Sequence, residues 1–304
     1  MELRREGDGG AGALSLTARL SPVSRTEVSS RGTRQPDTVI LVHSSGLGGG
    51  QWRKVAPMLA AGGLEVLVPD LVGYGESPPW ISEGVAGGDA SALAGDVAGL
   101  VGLIDRVRGS AAPTAPPGRV HLVGHSYGGV VALQAARERP DVVGRLVLFE
   151  PVLFGLIRRQ VSPDRLRSYL PFDEGFFARD PDGGVADFLE RLVDFWNGPG
   201  AWAALGPERR APFLAAGHKV RAEVVAVAVA REDGDREGYR GVPAPTLVVT
   251  GGRTAPPVGA ALGAAVAAEL PDATHVVMED AGHMGPVTHP DVFVPLTLAH
   301  LAGR

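Results

Sequence analysis

Short runs of consecutive apolar residues alternate with longer amphipathic segments along much of the chain. The runs are too short for helices and too uniformly apolar for strands that face solvent, which is typical of strands buried on both faces. We therefore predict strands at 39–42, 64–68, 119–123 and 145–149, with helices at 51–61, 90–107 and 127–137. Such alternation predicts a parallel sheet with right-handed connections.

The two ends of the chain complete this sheet in different ways. Near the start, residues 14–20 and 25–29 alternate weakly between apolar and polar positions, which predicts an antiparallel pair of strands. Near the end, strand and helix alternate again, with strands at 246–250 and 275–278 and helices at 258–270 and 290–302. The predicted fold class is α/β, a mostly parallel central sheet flanked by helices.

A long interruption separates the two halves of the predicted sheet. Between residues 151 and 241 no strand pattern occurs, and helical patterns appear instead at 185–196 and 219–231. We therefore expect an α/β core formed by residues 1–150 and 242–304, with residues 151–241 inserted as a helical cap.

Composition narrows the chemistry of the chain and of its partner. Hydrophobic residues make up 44% and charged residues 21%, as in soluble globular proteins. The net charge of -5 offers no basic surface for nucleic acid, so we expect a small-molecule partner. The lack of cysteine excludes a thiol nucleophile and thiolate metal sites. With no apolar run of about 18 residues and no signal-peptide pattern, we expect a cytoplasmic protein without a membrane span.

The strongest chemical signal is Gly124-His125-Ser126-Tyr127-Gly128, a G-x-S-x-G motif between a predicted strand and a predicted helix. In that context the motif forms a tight turn that projects the serine hydroxyl from the sheet edge. Ser126 is the candidate nucleophile, and the N–H of Tyr127 at the helix N-terminus can stabilise an oxyanion. In a chain with 43 glycines, a chance match is the alternative.

Three further loops follow predicted strands. Residues 43–49 read H-S-S-G-L-G-G and can bring a backbone N–H up to the nucleophile, although a flexible turn is the alternative. Residues 70–77 read D-L-V-G-Y-G-E-S, and residues 281–285 read A-G-H-M-G. Together with the G-x-S-x-G motif, these loops occur in the order in which the α/β-hydrolase superfamily carries them. From about residue 39 onwards the chain resembles that superfamily.

The resemblance implies a role for several of these residues. His283 would be the general base that takes the proton of Ser126. The oxyanion donors would be the N–H groups of Tyr127 and Ser45, with Gly46 as the alternative if the register shifts by one. The superfamily usually has glycine at the position of Ser44.

Two other residues of these loops receive non-catalytic roles from the resemblance. Asp70 would organise its own loop. His125 would point away from the catalytic site.

The acid that would orient His283 has two possible places. The commonest place in the superfamily follows the first strand after the cap, where residues 250–255 contain no carboxylate. A subset that includes some haloalkane dehalogenases and zearalenone-type lactonases places the acid after the strand that follows the nucleophile helix. Glu150 lies there, and we expect it to complete the triad. The alternative for Glu150 is a salt bridge to a cap arginine such as Arg158 or Arg159.

The resemblance implies acyl transfer to water through an acyl-serine intermediate, which needs no metal and no organic cofactor. We expect a carboxylic ester or lactone as substrate. Hydrolysis of a C–C bond or a thioester, perhydrolysis, and a non-hydrolytic cyclase or ligand-binding role stay open. A serine nucleophile argues against epoxide hydrolase and dehalogenase chemistry, which use aspartate at this position in the fold.

Aromatic residues in the predicted cap can roof an apolar pocket. Trp196 and Trp202 are the candidate substrate contacts. The alternative is that the cap aromatics form the core of the cap itself, the others being Phe172, Phe176, Phe177, Phe188 and Phe195.

Overall fold

The computed structural model of the chain describes residues 16–20, 36–81, 90–109, 118–162, 164, 184–229, 238–255 and 257–304. The predicted strand at 25–29 and the residues Phe172, Phe176 and Phe177 lie outside them. Among the helices in these ranges, none is long and apolar enough to cross a membrane.

A seven-stranded sheet lies at the centre, in the order β1-β3-β2-β4-β5-β6-β7. Strands β2 to β7 run parallel, whereas β1 pairs antiparallel with β3 at one edge. The parallel strands match the predicted apolar runs closely and confirm the α/β fold class. The bounds are β1 Ala18–Leu20, β2 Thr38–Val42, β3 Glu65–Pro69, β4 Val120–His125, β5 Val143–Phe149, β6 Thr246–Gly251 and β7 Ala273–Met278.

Helices connect the strands and flank the sheet. A short 3-10 helix, Gly49–Trp52, precedes α1. The helices outside the β5–β6 connection are α1 Val55–Ala61, α2 Ala90–Gly109, α3 Tyr127–Glu138, α9 Val258–Glu269, α10 Gly285–Thr288 and α11 Pro290–Leu301.

The chain between β5 and β6 contains helices and no strand in its described part. We call the described residues of this connection the helical insertion. It comprises α4 Phe154–Gln160, α5 Gly184–Asn197, α6 Ala201–Ala204, α7 Pro207–Ala215 and α8 Gly217–Val229. Helix α5 has one strongly apolar side, and it buries Phe188, Leu189 and Leu192.

The residues of β2 show why this strand is apolar throughout. Ile40 and Val42 belong to one hydrophobic cluster, which includes residues of α2, α3 and α9, while Val39 and Leu41 belong to a second cluster, which includes residues of α1 and α11. A strand between two such layers needs apolar side chains on both faces. The carboxyl ends of the parallel strands therefore meet at one firmly held edge, where open α/β sheets place their ligands.

Candidate active site

Ser126 lies in a strained turn between β4 and α3. Its φ is +56°, a left-handed conformation that non-glycine residues rarely adopt. A Cβ on Gly124 would lie 2.5 Å from the Gly128 carbonyl oxygen, and a Cβ on Gly128 would collide with the His43 carbonyl oxygen. Packing therefore requires both glycines of the motif. The turn is held by the Ser126 N–H, which donates to the Phe149 carbonyl at 2.9 Å.

Ser126, His283 and Glu150 form one continuous set of side-chain contacts. His283 Nε2 lies 3.1 Å from Ser126 Oγ, and His283 Nδ1 lies 2.5 Å from Glu150 Oε2. Because an ionised carboxylate only accepts hydrogen bonds, the Nδ1–H donates to Glu150, and Nε2 is left to accept the serine proton. All three residues are buried. This geometry can deprotonate a serine hydroxyl.

Glu150 follows β5 directly and has a φ of +44°. Its second oxygen, Oε1, accepts hydrogen bonds from the Gly251 N–H at 2.8 Å and from the Thr254 hydroxyl at 2.5 Å. Both carboxylate oxygens are thus engaged at the sheet edge, which argues against the alternative of a salt bridge to an arginine of the insertion. The strand end without a carboxylate, after β6, instead supplies donors to the carboxylate of the neighbouring strand.

Ser45 and Tyr127, the two predicted oxyanion donors, line the same cavity as Ser126. In the described part of the chain, no hydrogen bond uses the backbone N–H of either residue. Gly46 differs, because its N–H donates to the Tyr74 hydroxyl oxygen at 3.1 Å. The prediction of Gly46 as an oxyanion donor is therefore wrong, and the loop register leaves the amide of Ser45 for that position.

His125 is not among the residues that line the cavity beside Ser126, and it contacts the loop that carries His283 instead. Its Nε2–H donates to the His283 carbonyl oxygen at 2.8 Å, and the two rings lie 5.0 Å apart. Burial, and secondly the neighbouring His283, lower the pKa of His125 well below its usual value. A neutral His125 supports this loop without adding a second positive charge beside His283.

Two further residues organise the loops behind the nucleophile. His43 Nε2 accepts a hydrogen bond from the Leu71 N–H at 3.0 Å, and burial lowers the pKa of His43. The Asp70 carboxylate accepts from the Gly49 N–H at 2.7 Å and from the Glu76 N–H at 3.3 Å. These contacts agree with the loop-organising role that the resemblance implied for Asp70.

A cavity of about 290 Å³ opens beside Ser126 and His283. Its described lining contains no Asp, Glu, Lys or Arg, and most of it is aliphatic or aromatic. Trp196 is part of the lining and stacks on the ring of His283, with centroids 4.0 Å apart and 18° between the planes. The insertion supplies many of the other apolar side chains, among them Phe154, Leu192, Leu205, Phe213, Val224 and Val227.

Trp202 does not line this cavity, so its prediction as a substrate contact is wrong. Its ring packs edge-on against Phe213 at 6.2 Å, and the Arg210 guanidinium lies 5.3 Å above it. Trp202 therefore belongs to the core of the insertion, as does Phe188, which is also buried. For these two residues the structure fits the alternative interpretation, in which aromatic residues of this segment pack in a hydrophobic core.

Sequence reasoning missed a buried set of charged residues next to the site. Lys219 Nζ lies 2.5 Å from Asp96 Oδ2 and 3.0 Å from Glu223 Oε1. Burial opposes the charge of Lys219, but the attraction of Glu223 and Asp96 outweighs it and raises the pKa of Lys219. Burial also raises the pKa of Glu223. The available signal was a lysine and a glutamate four positions apart in a helix otherwise rich in alanine and valine.

The described residues include no cluster of three or more His, Asp or Glu side chains that could hold a metal ion.

Comparison with known proteins agrees with this geometry. A family model described as "Alpha/beta hydrolase family" matches residues 39–296. The 2-hydroxy-6-oxo-6-phenylhexa-2,4-dienoate hydrolase of Burkholderia cepacia is 30% identical over 278 residues, which cover 88% of each chain. Lipase LipV of Mycobacterium tuberculosis is 34% identical over 183 residues, which cover 56% of this chain and 63% of the lipase.

A solved structure of a hydrolase from Pseudomonas aeruginosa PA01 superposes with a TM-score of 0.65 at 22% identity. The superposition covers 96% of this chain and 99% of that one, which shows the same fold. The matched family model spans most of the chain, including Ser126, Glu150 and His283. The chain therefore belongs to the alpha/beta hydrolase family.

Proposed function

We propose that this hydrolase cleaves a carboxylic ester or lactone of a small, largely apolar substrate through an acyl-Ser126 intermediate. The observation that carries the proposal is the uninterrupted chain of contacts from Ser126 Oγ through His283 to Glu150. A serine activated in this way attacks carbonyl carbon.

In the first half of the reaction, His283 Nε2 takes the proton of Ser126 while Oγ bonds to the substrate carbonyl carbon. The carbonyl oxygen becomes an oxyanion, which the N–H groups of Ser45 and Tyr127 stabilise. Glu150 stabilises the imidazolium that forms and keeps the proton of His283 on Nδ1. His283 then gives the Nε2 proton to the departing alkoxide, which leaves as an alcohol.

In the second half, water attacks the acyl-serine and His283 Nε2 takes the water proton. Collapse of the second tetrahedral intermediate returns that proton to Ser126 Oγ and releases the carboxylic acid. One ester and one water thus give one acid and one alcohol, and a lactone gives the corresponding hydroxy acid. No metal or organic cofactor takes part in this sequence.

The apolar lining supports a neutral substrate, because a buried carboxylate requires a cation or several donors. None of the described lining residues offers a Lys or Arg side chain. We propose that residues 151–241 act as a cap that selects apolar acyl or ring groups. The support is that helices of this segment contribute Trp196 and much of the apolar wall.

Hydrolysis of a C–C bond is the second candidate. It is favoured by the 30% identity over 88% of the chain to a relative named as a dienoate hydrolase. Such a dienoate carries a carboxylate, for which the described lining of the cavity offers no cationic partner.

The test is hydrolysis of p-nitrophenyl butyrate and of a neutral aromatic lactone by wild type and by Ser126→Ala, with 2-hydroxy-6-oxo-6-phenylhexa-2,4-dienoate assayed in parallel. A fluorophosphonate probe should label the wild type and the control Ser162→Ala, an exposed serine, but not Ser126→Ala. Hydrolysis of the dienoate, together with no hydrolysis of the ester or the lactone, would favour the second candidate. Ester hydrolysis that survives Ser126→Ala would overturn the mechanism.

A further inference from the structure

Glu223 of α8 contacts the loop that carries Ser45. Its Oε2 accepts a hydrogen bond from the Tyr74 hydroxyl at 2.9 Å, and the Tyr74 oxygen accepts from the Gly46 N–H at 3.1 Å. The Ser45 side chain also lies beside the Glu223 carboxylate, where it opposes the rise that burial causes in the pKa of Glu223. The loop is thus held to one carboxylate of the helical insertion at Gly46, through the Tyr74 phenol.

The same set of contacts reaches the other oxyanion donor. Lys219, one turn before Glu223, pairs with Asp96 of α2 at 2.5 Å. The other partner of Asp96 Oδ2 is the Tyr127 hydroxyl at 2.7 Å, and Lys219 Nζ lies 5.5 Å from the centroid of the Tyr127 ring. The loop that carries Ser45 and the side chain of Tyr127 therefore lie at opposite ends of one buried network.

Stability alone does not explain this network. Lys219, Glu223 and Asp96 are almost completely excluded from solvent. Burying charges carries a desolvation cost, so well-packed apolar residues of similar volume are often at least as stabilising as a buried ion pair. What a carboxylate provides here, and an apolar residue cannot, is a fixed acceptor for the Tyr74 hydroxyl group, which in turn holds the Gly46 N–H.

We propose that Glu223 is a positioning residue of the oxyanion hole: it fixes the loop that presents the Ser45 N–H, and Lys219 and Asp96 tie that loop to the nucleophile turn at Tyr127. The proposal rests on the serine-hydrolase function proposed above. Precise placement matters because an oxyanion donor acts only when it lies within hydrogen-bond distance of the developing charge.

Glu223→Gln tests this assignment with little change of shape. Lys219 donates to one oxygen of Glu223, and the Tyr74 hydroxyl donates to the other. A glutamine replaces one of these oxygens by an NH₂ group, so either the Lys219 ammonium or the Tyr74 hydroxyl proton loses its acceptor at this position. Lys219 keeps its pairing with Asp96, so the ammonium stays neutralised in this variant.

The experiment measures kcat and KM for p-nitrophenyl butyrate, together with the rate at which a fluorophosphonate labels Ser126. We expect Glu223→Gln to lower kcat and the labelling rate by about tenfold, part of the hundredfold or more that loss of a whole oxyanion donor causes, and to leave KM nearly unchanged. In a Ser45→Ala/Tyr74→Phe background, which keeps both backbone amides, the same substitution should have almost no further effect.

Thr297→Val is the matched control, because Thr297 is buried and hydrogen-bonded to the Phe293 carbonyl in α11, outside the network. It should lower the unfolding temperature without changing kcat. The proposal is overturned if Glu223→Gln leaves kcat and labelling unchanged, raises only KM, or acts equally in the double-variant background. If the wild type shows no Ser126-dependent hydrolysis, the proposed function itself is overturned instead.

Discussion

On the sheet side of the cavity, the reacting groups stand at the ends of neighbouring strands and are held by main-chain contacts. Ser126 and Glu150 have φ values of +56° and +44°, and they are the non-glycine residues with positive φ in the described ranges. On the insertion side, Trp196 stacks on His283, and Lys219 and Glu223 form ion pairs that involve no strained backbone. In the described ranges, left-handed non-glycine backbone thus occurs at two residues of the candidate triad, and such strain is common in active sites.

This difference predicts separate effects for substitutions on the two sides. Changes on the sheet side remove a reacting or orienting group and should reduce turnover while the fold persists. Apart from Glu223, for which we propose an effect on kcat, changes in the insertion remove packing or charge neutralisation and should act on stability and on substrate affinity.

The largest effect is expected for Glu150→Gln. The amide cannot hold the Nδ1–H of His283 as a carboxylate does, so the imidazole loses its fixed tautomer and the imidazolium loses its counter-charge. We expect kcat to fall by about 10⁴-fold, with an unfolding temperature close to that of the wild type. Thermal unfolding and steady-state kinetics on the same preparation measure both quantities.

Thr254→Val is a milder change at the same carboxylate. It keeps the carboxylate but removes the hydroxyl that donates to Glu150 Oε1. Its kcat should fall by about tenfold or less, because the Gly251 N–H still holds the same oxygen. A Glu150→Gln variant that loses no more activity than Thr254→Val would remove Glu150 from the triad.

The sequence predicts the sheet side well because its signals are local. Strands buried on both faces read as uninterrupted apolar runs, and the glycines beside Ser126 stand where a Cβ would collide with backbone. Glu150 could be selected because it directly follows a recognisable strand, β5. The long-range contact of His125 with the His283 carbonyl, 158 positions away, has no such signal in the sequence.

The insertion side was predicted only in outline, since its helical character follows from composition but its contacts do not. Trp196 and Trp202 are equivalent in the sequence, yet one lines the cavity and the other packs inside the insertion. The pairing of Lys219 with Asp96 joins residues 123 positions apart. The Gly46 amide was misassigned for the same reason, because Tyr74, its acceptor, lies on another loop.

Lys219→Met tests how much the buried ion pairs of the insertion contribute to the stability of the fold. It leaves the Asp96 and Glu223 carboxylates buried and close together without their cation. We expect the free energy of unfolding to fall by about 3–5 kcal/mol, measured by urea denaturation. Arg253→Met is the matched control at the sheet edge, because its ion pair with Asp280 is exposed, and it should cost less than about 1 kcal/mol. Similar decreases in the free energy of unfolding of the two variants would contradict the interpretation that Lys219 neutralises two buried carboxylates.

Acid should destabilise the sheet side through its buried histidines. Burial lowers the pKa of both His43 and His125, so each binds a proton more weakly in the folded than in the unfolded protein. Stability is therefore present above the unfolded-state pKa of about 6.5 and is lost as the pH falls below it.

Glu223 on the insertion side acts in the opposite sense, because its raised pKa makes the folded protein bind a proton more readily than the unfolded one. Urea unfolding between pH 7.5 and 5.5 should show that the free energy of unfolding decreases toward acid. In Glu223→Gln this decrease should be steeper over the pH range in which Glu223 of the wild type becomes protonated. A free energy of unfolding that is constant or rises toward pH 5.5 would contradict the neutral, buried state of the histidines.

The smallest effect separates the two tryptophans of the insertion. Trp196→Leu removes the ring that stacks on His283, with centroids 4.0 Å apart, and so removes part of the apolar wall of the cavity. A contact of this kind contributes about 0.5–1.5 kcal/mol, so kcat/KM for an aromatic ester should fall by roughly twofold to tenfold. Trp202→Leu lies in the same segment and removes an equal side chain that does not reach the cavity, so it should lower the unfolding temperature and leave kcat/KM unchanged. Equal losses of kcat/KM in both variants would show that the insertion acts through its overall stability, and only a loss confined to Trp196→Leu supports direct contact with the reacting site.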